Sequence, residues 1–507
     1  MNGKWTHWLA DAAAPARAQI GGKAWSLAQM AALGLNVPPA FVVTTAACTA
    51  WFEGGRAWPE GLEQELADGI ALLERATGRS FGGSERALLV SVRSGAAISM
   101  PGMMDTVLNL GINDEAERAL ASESGSAGFA ADTHRRFCEL YGRIVLKATP
   151  MEHANAETLR AAVLAEVGEA IPRQPVEQLK RAVMAVFDSS RSRRALTYRK
   201  HQGLPADLPT AVTIQAMVFG NLDGDSGTGV MFSRNPLSGE RLPYGEYLPH
   251  AQGEDVVSGT RTPEPLDSLR RQFPQLHAQL LAGAETLERA ERDMQDIEFT
   301  VERGRLYFLQ SRSAKRSPEA AIRTAVDFAD EGLITRAQAL SRVKAEQIDA
   351  VLRPRLVETQ ARDALVLARG EPASPGIAAG LVVDDCDHCE RLELSGQPAV
   401  LCRATTSPED VHGMIASAAV ITEQGGSTSH AAVVGRQLGK PCVVGCGDGT
   451  LALLRGRMVT VDGDRGLIYD GLLATEIPSE TDHPWLARLA AWTEGRPLRA
   501  ALAAAQP

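Results

Sequence analysis

The sequence predicts a multidomain α+β protein. Three observations carry that reading. The chain has 507 residues, which at roughly 150 residues per domain suggests about three domains or subdomains. Strand-like and helical stretches come in long blocks. The composition also changes sharply at Pro372-Ala-Ser-Pro-Gly376. Hydrophobic residues make up 44% and charged residues 22%, which is ordinary for a globular chain and excludes a disordered or fibrous one.

Taken in order, Leu35–Pro39 reads as a turn and Ala40–Thr44 as a strand, with a second strand at Leu88–Val92. Residues 115–200 are rich in Ala, Leu, Glu and Arg at helical spacing. Strand character returns at Ala211–Phe219, followed by the glycine-rich Gly220–Gly229. Residues 315–368 are helical, polar and poor in glycine, as a connector would be. Residues 369–474 read as a compact α/β unit, and 475–507 as a short Ala-rich tail.

The net charge is −10, from 52 basic and 62 acidic residues. That argues against general nucleic-acid binding, where a basic surface is rewarded. A nucleotide stays allowed, because a metal ion and a few local cations offset the repulsion. No apolar run reaches about 18 residues, so no transmembrane helix is expected. The N-terminus lacks a signal pattern, being interrupted at Asp11. Seven sparse cysteines fit a reducing cytoplasm. Cys386 and Cys389 have metal-like spacing but no matching pair, and read as small hydrophobes.

Gly21-Gly22-Lys23 resembles a P-loop but fails as one: Arg17 and Ala24 stand where Gly and Ser/Thr are required. The four glycines between 220 and 229 could let backbone N–H groups close over phosphate, with Arg234 as a cation beside them. A plain hairpin loop fits that segment equally well. Gln295–Val301 and Arg305–Gln310 alternate around Gly304, which predicts a hairpin. With Gly304 at the midpoint, Asp296 faces Arg312 and Glu298 faces Gln310, all on one face. Two carboxylates and an amide oxygen are hard ligands suited to Mg²⁺ carrying nucleotide phosphates. Arg312 could hold phosphate or pair with Asp296. The plain alternative is a solvated face with one salt bridge.

The most informative segment runs from Gly425-Gly-Ser-Thr-Ser-His430 to Cys442. Thr428 or Ser429 can cap a helix running from about His430 to Leu438, ended by Gly439 and Pro441. His430 then sits at a helix N-terminus, where free N–H groups favour an anionic phosphate. A neutral imidazole there could serve as a covalent phosphate carrier. A histidine that merely hydrogen-bonds in a turn is the alternative.

These stretches resemble the pyruvate, phosphate dikinase family, enzymes that pass phosphate through a histidine to or from phosphoenolpyruvate. The collinear matches include Gly21–Met30, Ser91–Gly95, Ser99–Gly111, Gln215–Asn221, Tyr244–Tyr247, Ala251–Val257, Met294–Phe299, Thr406–Asp410 and Gly425–Val434. The resemblance implies an ATP-grasp nucleotide-binding domain over 1–314, with a helical insert at about 115–200. A connector over 315–368 and a swivelling β/β/α phosphohistidine domain over 369–474 come after it. The resemblance implies that Lys23 and Arg93 meet ATP phosphates and that Gln215, Met217 and Val218 line the adenine pocket. Asp296, Glu298 and Gln310 would hold Mg²⁺ and nucleotide, Arg312 a phosphate, and His430 the transferred phosphoryl group. ATP and inorganic phosphate would give AMP, pyrophosphate and phosphohistidine. Thr428 matches a position whose phosphorylation regulates family members; a helix-capping hydroxyl is the plainer reading.

The family pattern also breaks. Full-length members continue into a barrel that binds pyruvate and phosphoenolpyruvate, and the 475–507 tail is too short for one of about 250 residues. A separate barrel chain is therefore the expected partner for that step. The alternatives are delivery to another small molecule or protein, or a non-catalytic ATP-binding module. A homodimer stays open. Glu423-Gln424 stands where the family usually has a basic residue, and Ser427 where it usually has methionine.

Overall fold

The computed structural model describes residues 5–10, 15–96, 105–149, 155–201, 203–205, 207–253, 255, 262–352, 355–476 and 479–505. Residues 99–104 of the matched stretch Ser99–Gly111 and part of 251–257 lie outside them. The chain mixes α and β structure in several sheets. It forms two compact units, Met1–Ser226 with Thr300–Ser311, and Gly227–Phe299 with Arg312–Pro507. No helix among the described residues is long and apolar enough to cross a membrane.

The first unit is built on an antiparallel sheet. Its strands are β1 (Thr6–Trp8), β2 (Ala40–Val43), β3 (Val90–Gly95), β4 (Thr106–Leu110) and β5 (Ala211–Ala216), in the order β1-β2-β5-β3-β4. Two expected strands are shorter or shifted. Leu88 pairs with Phe81 in a separate two-stranded ribbon, so β3 begins at Val90. β5 stops at Ala216; beyond it the Met217 N–H bonds the Leu89 carbonyl at 2.9 Å and the Phe219 N–H turns to the Glu302 carboxylate, 2.6 Å away. Helix α1 (Arg17–Ala32) packs on the sheet. Among the described residues of 114–201 there are five helices. Three of them start under side-chain caps that satisfy free N–H groups, at Asn113, Ser126 and Asn155. Their apolar faces bury Phe137, Tyr141 and Phe187 with Val90 and Ile214 of the sheet.

In the second unit, β6 (Gly227–Phe232) and β7 (Tyr244–Pro249) pair antiparallel. Gly227 and Gly229 therefore belong to a strand and not to a phosphate loop. A Cβ at Gly227 would lie 2.1 Å from the Tyr247 hydroxyl, and one at Gly229 2.4 Å from the Glu246 carbonyl. Arg234 is not a free cation either: it is fully buried and paired with Glu288 and Glu331, each at 2.8 Å.

The predicted hairpin forms as β8 (Gln295–Glu302) and β9 (Arg305–Ser313). Its turn is Arg303-Gly304, both at positive φ (50° and 69°), the two-residue turn whose twist suits antiparallel strands. The boundary between the two units crosses this hairpin, and its base continues the second unit. There the Ala314 N–H bonds the Met294 carbonyl at 2.8 Å, the expected register.

The second unit also holds an eight-stranded sheet. Its strands are β10 (Val366–Arg369), β11 (Glu371–Ser374), β12 (Ile377–Val383), β13 (Ala399–Arg403), β14 (Ala419–Thr422), β15 (Cys442–Val444), β16 (Met458–Asp462) and β17 (Leu467–Asp470). Their order is β10-β17-β16-β12-β13-β14-β15-β11, with β12 to β15 parallel. The stretch read as a connector forms helices from Pro318 to Asp363. Those read as a tail, Pro484–Ala491 and Leu498–Ala505, bury Leu486 and Leu502 in the same core as Ile322 and Phe328.

Candidate functional site

In the first unit, the Gly-Gly-Lys segment lies over the end of β3. Gly21 interrupts α1 at φ 76° and ψ 164°, a region nearly exclusive to glycine. Its missing Cβ would fall 2.0 Å from the Gly95 carbonyl oxygen. The Gly22 N–H bonds the Ala96 carbonyl at 2.9 Å. This contact brings Lys23 of α1 beside the strand that carries Arg93; a Cβ built on Gly95 would sit 3.8 Å from the Lys23 Cβ. Further along α1, Ser26 donates its hydroxyl to the Ser311 carbonyl at 2.6 Å and accepts the Ser311 N–H at 3.0 Å. That pair ties α1 to β9 next to Gln310, which is buried.

Gln215 is buried on β5, where its amide donates to the Pro38 carbonyl at 3.2 Å. Its side chain is thus held in the sheet. Met217 and Val218 come directly after the strand and are half-buried.

In the second unit, Arg312 Nε donates to Asp296 Oδ2 at 2.8 Å, the cross-strand pair the alternation predicts. Asp296 is 3% exposed, and its other oxygen, Oδ1, is buried without a hydrogen-bond partner. Burial pushes this carboxyl up, and the neighbouring Arg312 charge pulls it back. The Asp296 charge holds Arg312 above the usual arginine range. Glu298 is half-buried and acts electrostatically on both. Gln310 counts with the first unit. Among the described residues no three His, Cys, Asp or Glu side chains cluster as metal ligands.

His430 begins helix α2 (His430–Leu438), which Gly439 ends in the left-handed region at φ 64°. These are the bounds the sequence predicts. The capping differs. Ser429 occupies the N-cap, but its hydroxyl is buried and unbonded. Thr428 does not cap either: its hydroxyl donates to Glu246 Oε2. Ser427 donates to Glu246 Oε1 at 2.9 Å. The loop before the histidine is thus gripped by one carboxylate from β7.

The His430 Nδ1 lies 3.2 Å from the Thr406 hydroxyl. Burial pushes the imidazole below its ordinary range, opposed by the Asp410 charge. Asp410 is itself fixed: it accepts the Ser407 N–H at 2.8 Å and faces Arg403 at 3.2 Å. Glu423 and Gln424 turn away toward the 448–451 segment, bonding the Leu451 N–H at 2.9 Å and Asp448 at 3.2 Å.

Glu246, Thr406 and Asp410 have no role in the sequence reading. They lie inside stretches that carry the resemblance, but no local pattern marks a side chain that acts on a loop 24 or 182 residues away. Only the three-dimensional pairing exposes them.

Comparison with known proteins matches both regions. A family model described as "Pyruvate phosphate dikinase, AMP/ATP-binding domain" covers residues 55–277. A second, "PEP-utilising enzyme, mobile domain", covers 395–466. The pyruvate, phosphate dikinase of Rhizobium meliloti is 43% identical, over 92% of this chain and 57% of its own length. That of Clostridium symbiosum is 41% identical, over 93% and 58%. Pyruvate, phosphate dikinase 2 of Zea mays is 46% identical, over 84% and 51%. The chain spans a little over half the length of these relatives.

Proposed function

We propose, on the premise that this chain is pyruvate, phosphate dikinase-like in both its nucleotide-binding and its mobile-domain regions, that it phosphorylates His430 at the expense of ATP. In this reading residues 1–314 are an ATP-grasp domain and 369–474 a swivelling phosphohistidine domain, with motion taken up at 315–368 and 473–485. His430 attacks the β-phosphorus of ATP, AMP leaves, and the terminal phosphoryl passes to inorganic phosphate as pyrophosphate. Onward transfer to or from pyruvate then takes place on a pyruvate-binding barrel of the kind the family carries. The seven unpaired cysteines support a cytoplasmic setting.

The observation that carries the reading is the setting of His430. Its Nδ1 is engaged by Thr406 and its ring is buried enough to favour the neutral form. A proton on Nδ1 shared with Thr406 leaves the Nε2 lone pair as nucleophile. The helix N-terminus favours the phosphoryl group that arrives. Lys23 and Arg93 are the cations we assign to ATP phosphates, and Arg312 to a further phosphate.

The second-unit carboxylates fit Mg²⁺. Asp296 Oδ1 is buried with no hydrogen-bond partner, which suits a cation ligand. Asp296 and Glu298 would hold the ion, which when bound neutralises nucleotide phosphate charge. Asp296→Asn is expected to raise the Mg²⁺ concentration for half-maximal AMP release by about 10-fold or more. An unchanged Mg²⁺ titration would remove Asp296 from the site.

The test of the proposal is intact-protein mass spectrometry after incubation with Mg-ATP, with and without inorganic phosphate, together with AMP and pyrophosphate assays. A phosphate adduct on His430, AMP release, and pyrophosphate that needs added phosphate are the expected results. No adduct and no AMP would overturn it.

The pH profile gives a second check. A lowered imidazole pKa means the folded ring stays neutral as pH falls through about 6.5, where an ordinary histidine is half protonated. Labelling should therefore hold its rate at that pH and fall only under more acidic conditions. Thr406→Val should slow labelling without changing ATP affinity, because it frees Nδ1 and lets the tautomers mix. A rate midpoint at or above 6.5, or a Thr406→Val enzyme of wild-type rate, would contradict this account of the ring.

A further inference from the structure

Arg436 is a buried charged group that the reaction as proposed leaves unused. Arg436 lies on α2, the helix that His430 begins, and is 2% exposed. Its Nη1 donates to the Ala373 carbonyl on β11 at 2.7 Å, and its Nη2 to the Ser427 carbonyl at 2.9 Å. Its guanidinium carbon stands 5.7 Å from the centre of the Phe232 ring. Its Nε is buried and unbonded. Among the described residues no carboxylate reaches it at salt-bridge distance; Asp296 and Glu246 act on it only at longer range. Burying a guanidinium without an ion pair is costly, and an apolar side chain would fill the same space without that cost. What the guanidinium supplies, and an apolar side chain cannot, is its hold on two carbonyls.

One of those carbonyls belongs to the loop that delivers the histidine. Ser427 is held from two sides: its hydroxyl by Glu246, its carbonyl by Arg436. The two holds differ in kind. Glu246 comes from β7, in a different sheet. Arg436 is nine residues from Ser427 in the same loop-and-helix segment, and its other anchor, Ala373, is in the sheet on which that helix packs. Both carbonyls that Arg436 holds lie within 369–474, so in the proposed swivel this brace would move with His430, whereas the Glu246 grip would be left behind.

We infer that Arg436 is the positioning residue for His430: by fixing the Ser427 carbonyl it holds the loop so that the imidazole keeps its Thr406 contact whether or not Glu246 is engaged. This rests on the phosphocarrier reading of His430. It places no charge on the reacting atoms, and Arg436 is not a catalytic residue.

The test uses the full chain with Arg436→Met and Arg436→Lys. ATP affinity, the rate of His430 labelling, thermal midpoint, and the ring-nitrogen signals of ¹⁵N-histidine-labelled protein are measured for each. We expect Arg436→Met to bind ATP like wild type yet label about 10-fold or more slowly, since small misplacements of a nucleophile have effects of that size. Its His430 signals should report mixed tautomers in place of one. Arg436→Lys, able to reach one carbonyl, should recover part of the rate and of the single-tautomer signal. Wild-type labelling and unchanged ring signals in Arg436→Met would overturn the inference. Should Arg436→Met fail to fold, Arg436→Lys decides: reduced labelling at an unchanged thermal midpoint supports the inference, and full labelling overturns it. If wild type itself takes no label, the phosphocarrier reading fails, while the ring signals still judge the positioning of His430.

Discussion

His430→Ala is expected to abolish ATP-dependent phosphate labelling completely, with ATP binding retained. The side chain is the covalent acceptor in the proposed reaction, and no water or neighbouring hydroxyl can take over the formation of a phosphohistidine. Ser427 and Thr428 donate to Glu246, and the Ser429 hydroxyl is buried, so none presents itself as a substitute nucleophile. The imidazole is only partly enclosed, so its removal should leave the fold intact. Phosphate label and ATP affinity are the two quantities to measure together. Label surviving in His430→Ala would assign the acceptor to another residue. Loss of both label and ATP binding would mean that the substitution acts through the fold.

How much of this was legible in the sequence depends on the range of the interaction. The bounds of α2 were readable because glycines on both sides and an apolar period fix a helix locally. The Asp296–Arg312 pair was readable because a hairpin obeys a period of two about its turn. The strand ends were less so: past the end of β5 the Phe219 N–H goes to a distant Glu302, and no local pattern contains that partner. Gly227 and Gly229 were ambiguous for a similar reason. A glycine needed for backbone freedom and one needed because Tyr247 or the Glu246 carbonyl sits where its Cβ would be look identical in sequence. Arg234 looked available beside a loop and is buried between two carboxylates.

The histidine loop shows the same division. Thr428 looked like a helix cap because caps are local and common. Its hydroxyl instead crosses to Glu246, which burial drives toward the neutral acid and which the Thr428 and Ser427 hydroxyls help to keep ionised. A carboxyl raised in the folded state gives stability that is full below its unfolded pKa and is lost as pH rises through its folded value. The grip on the loop is thus a compromise between hydrogen bonding and burial.

Gly21→Ala should have the other large effect, on the nucleotide side. At φ 76° and ψ 164° the backbone of Gly21 occupies a region that costs a residue with a Cβ about 1–3 kcal/mol. The clash adds to this: the new Cβ would fall 2.0 Å from the Gly95 carbonyl oxygen, and that oxygen belongs to backbone that cannot rotate away. Helix α1 must therefore lift from the end of β3. Lys23 is two residues along α1 and Arg93 two residues back along β3, so the lift separates the two cations assigned to ATP phosphates. We expect ATP affinity to fall about 10-fold or more, because a displacement of the order of 1 Å is enough for such losses. The thermal midpoint should fall with it. Gly22→Ala is the control. Gly22 has ordinary φ, and the nearest atom to its Cβ would be the mobile end of Arg17 at 3.3 Å, so that variant should bind ATP nearly as wild type does. Equal tolerance of both substitutions would mean that the close approach of α1 to β3 does not set the positions of Lys23 and Arg93. A loss confined to Gly21→Ala would tie nucleotide affinity to one missing Cβ.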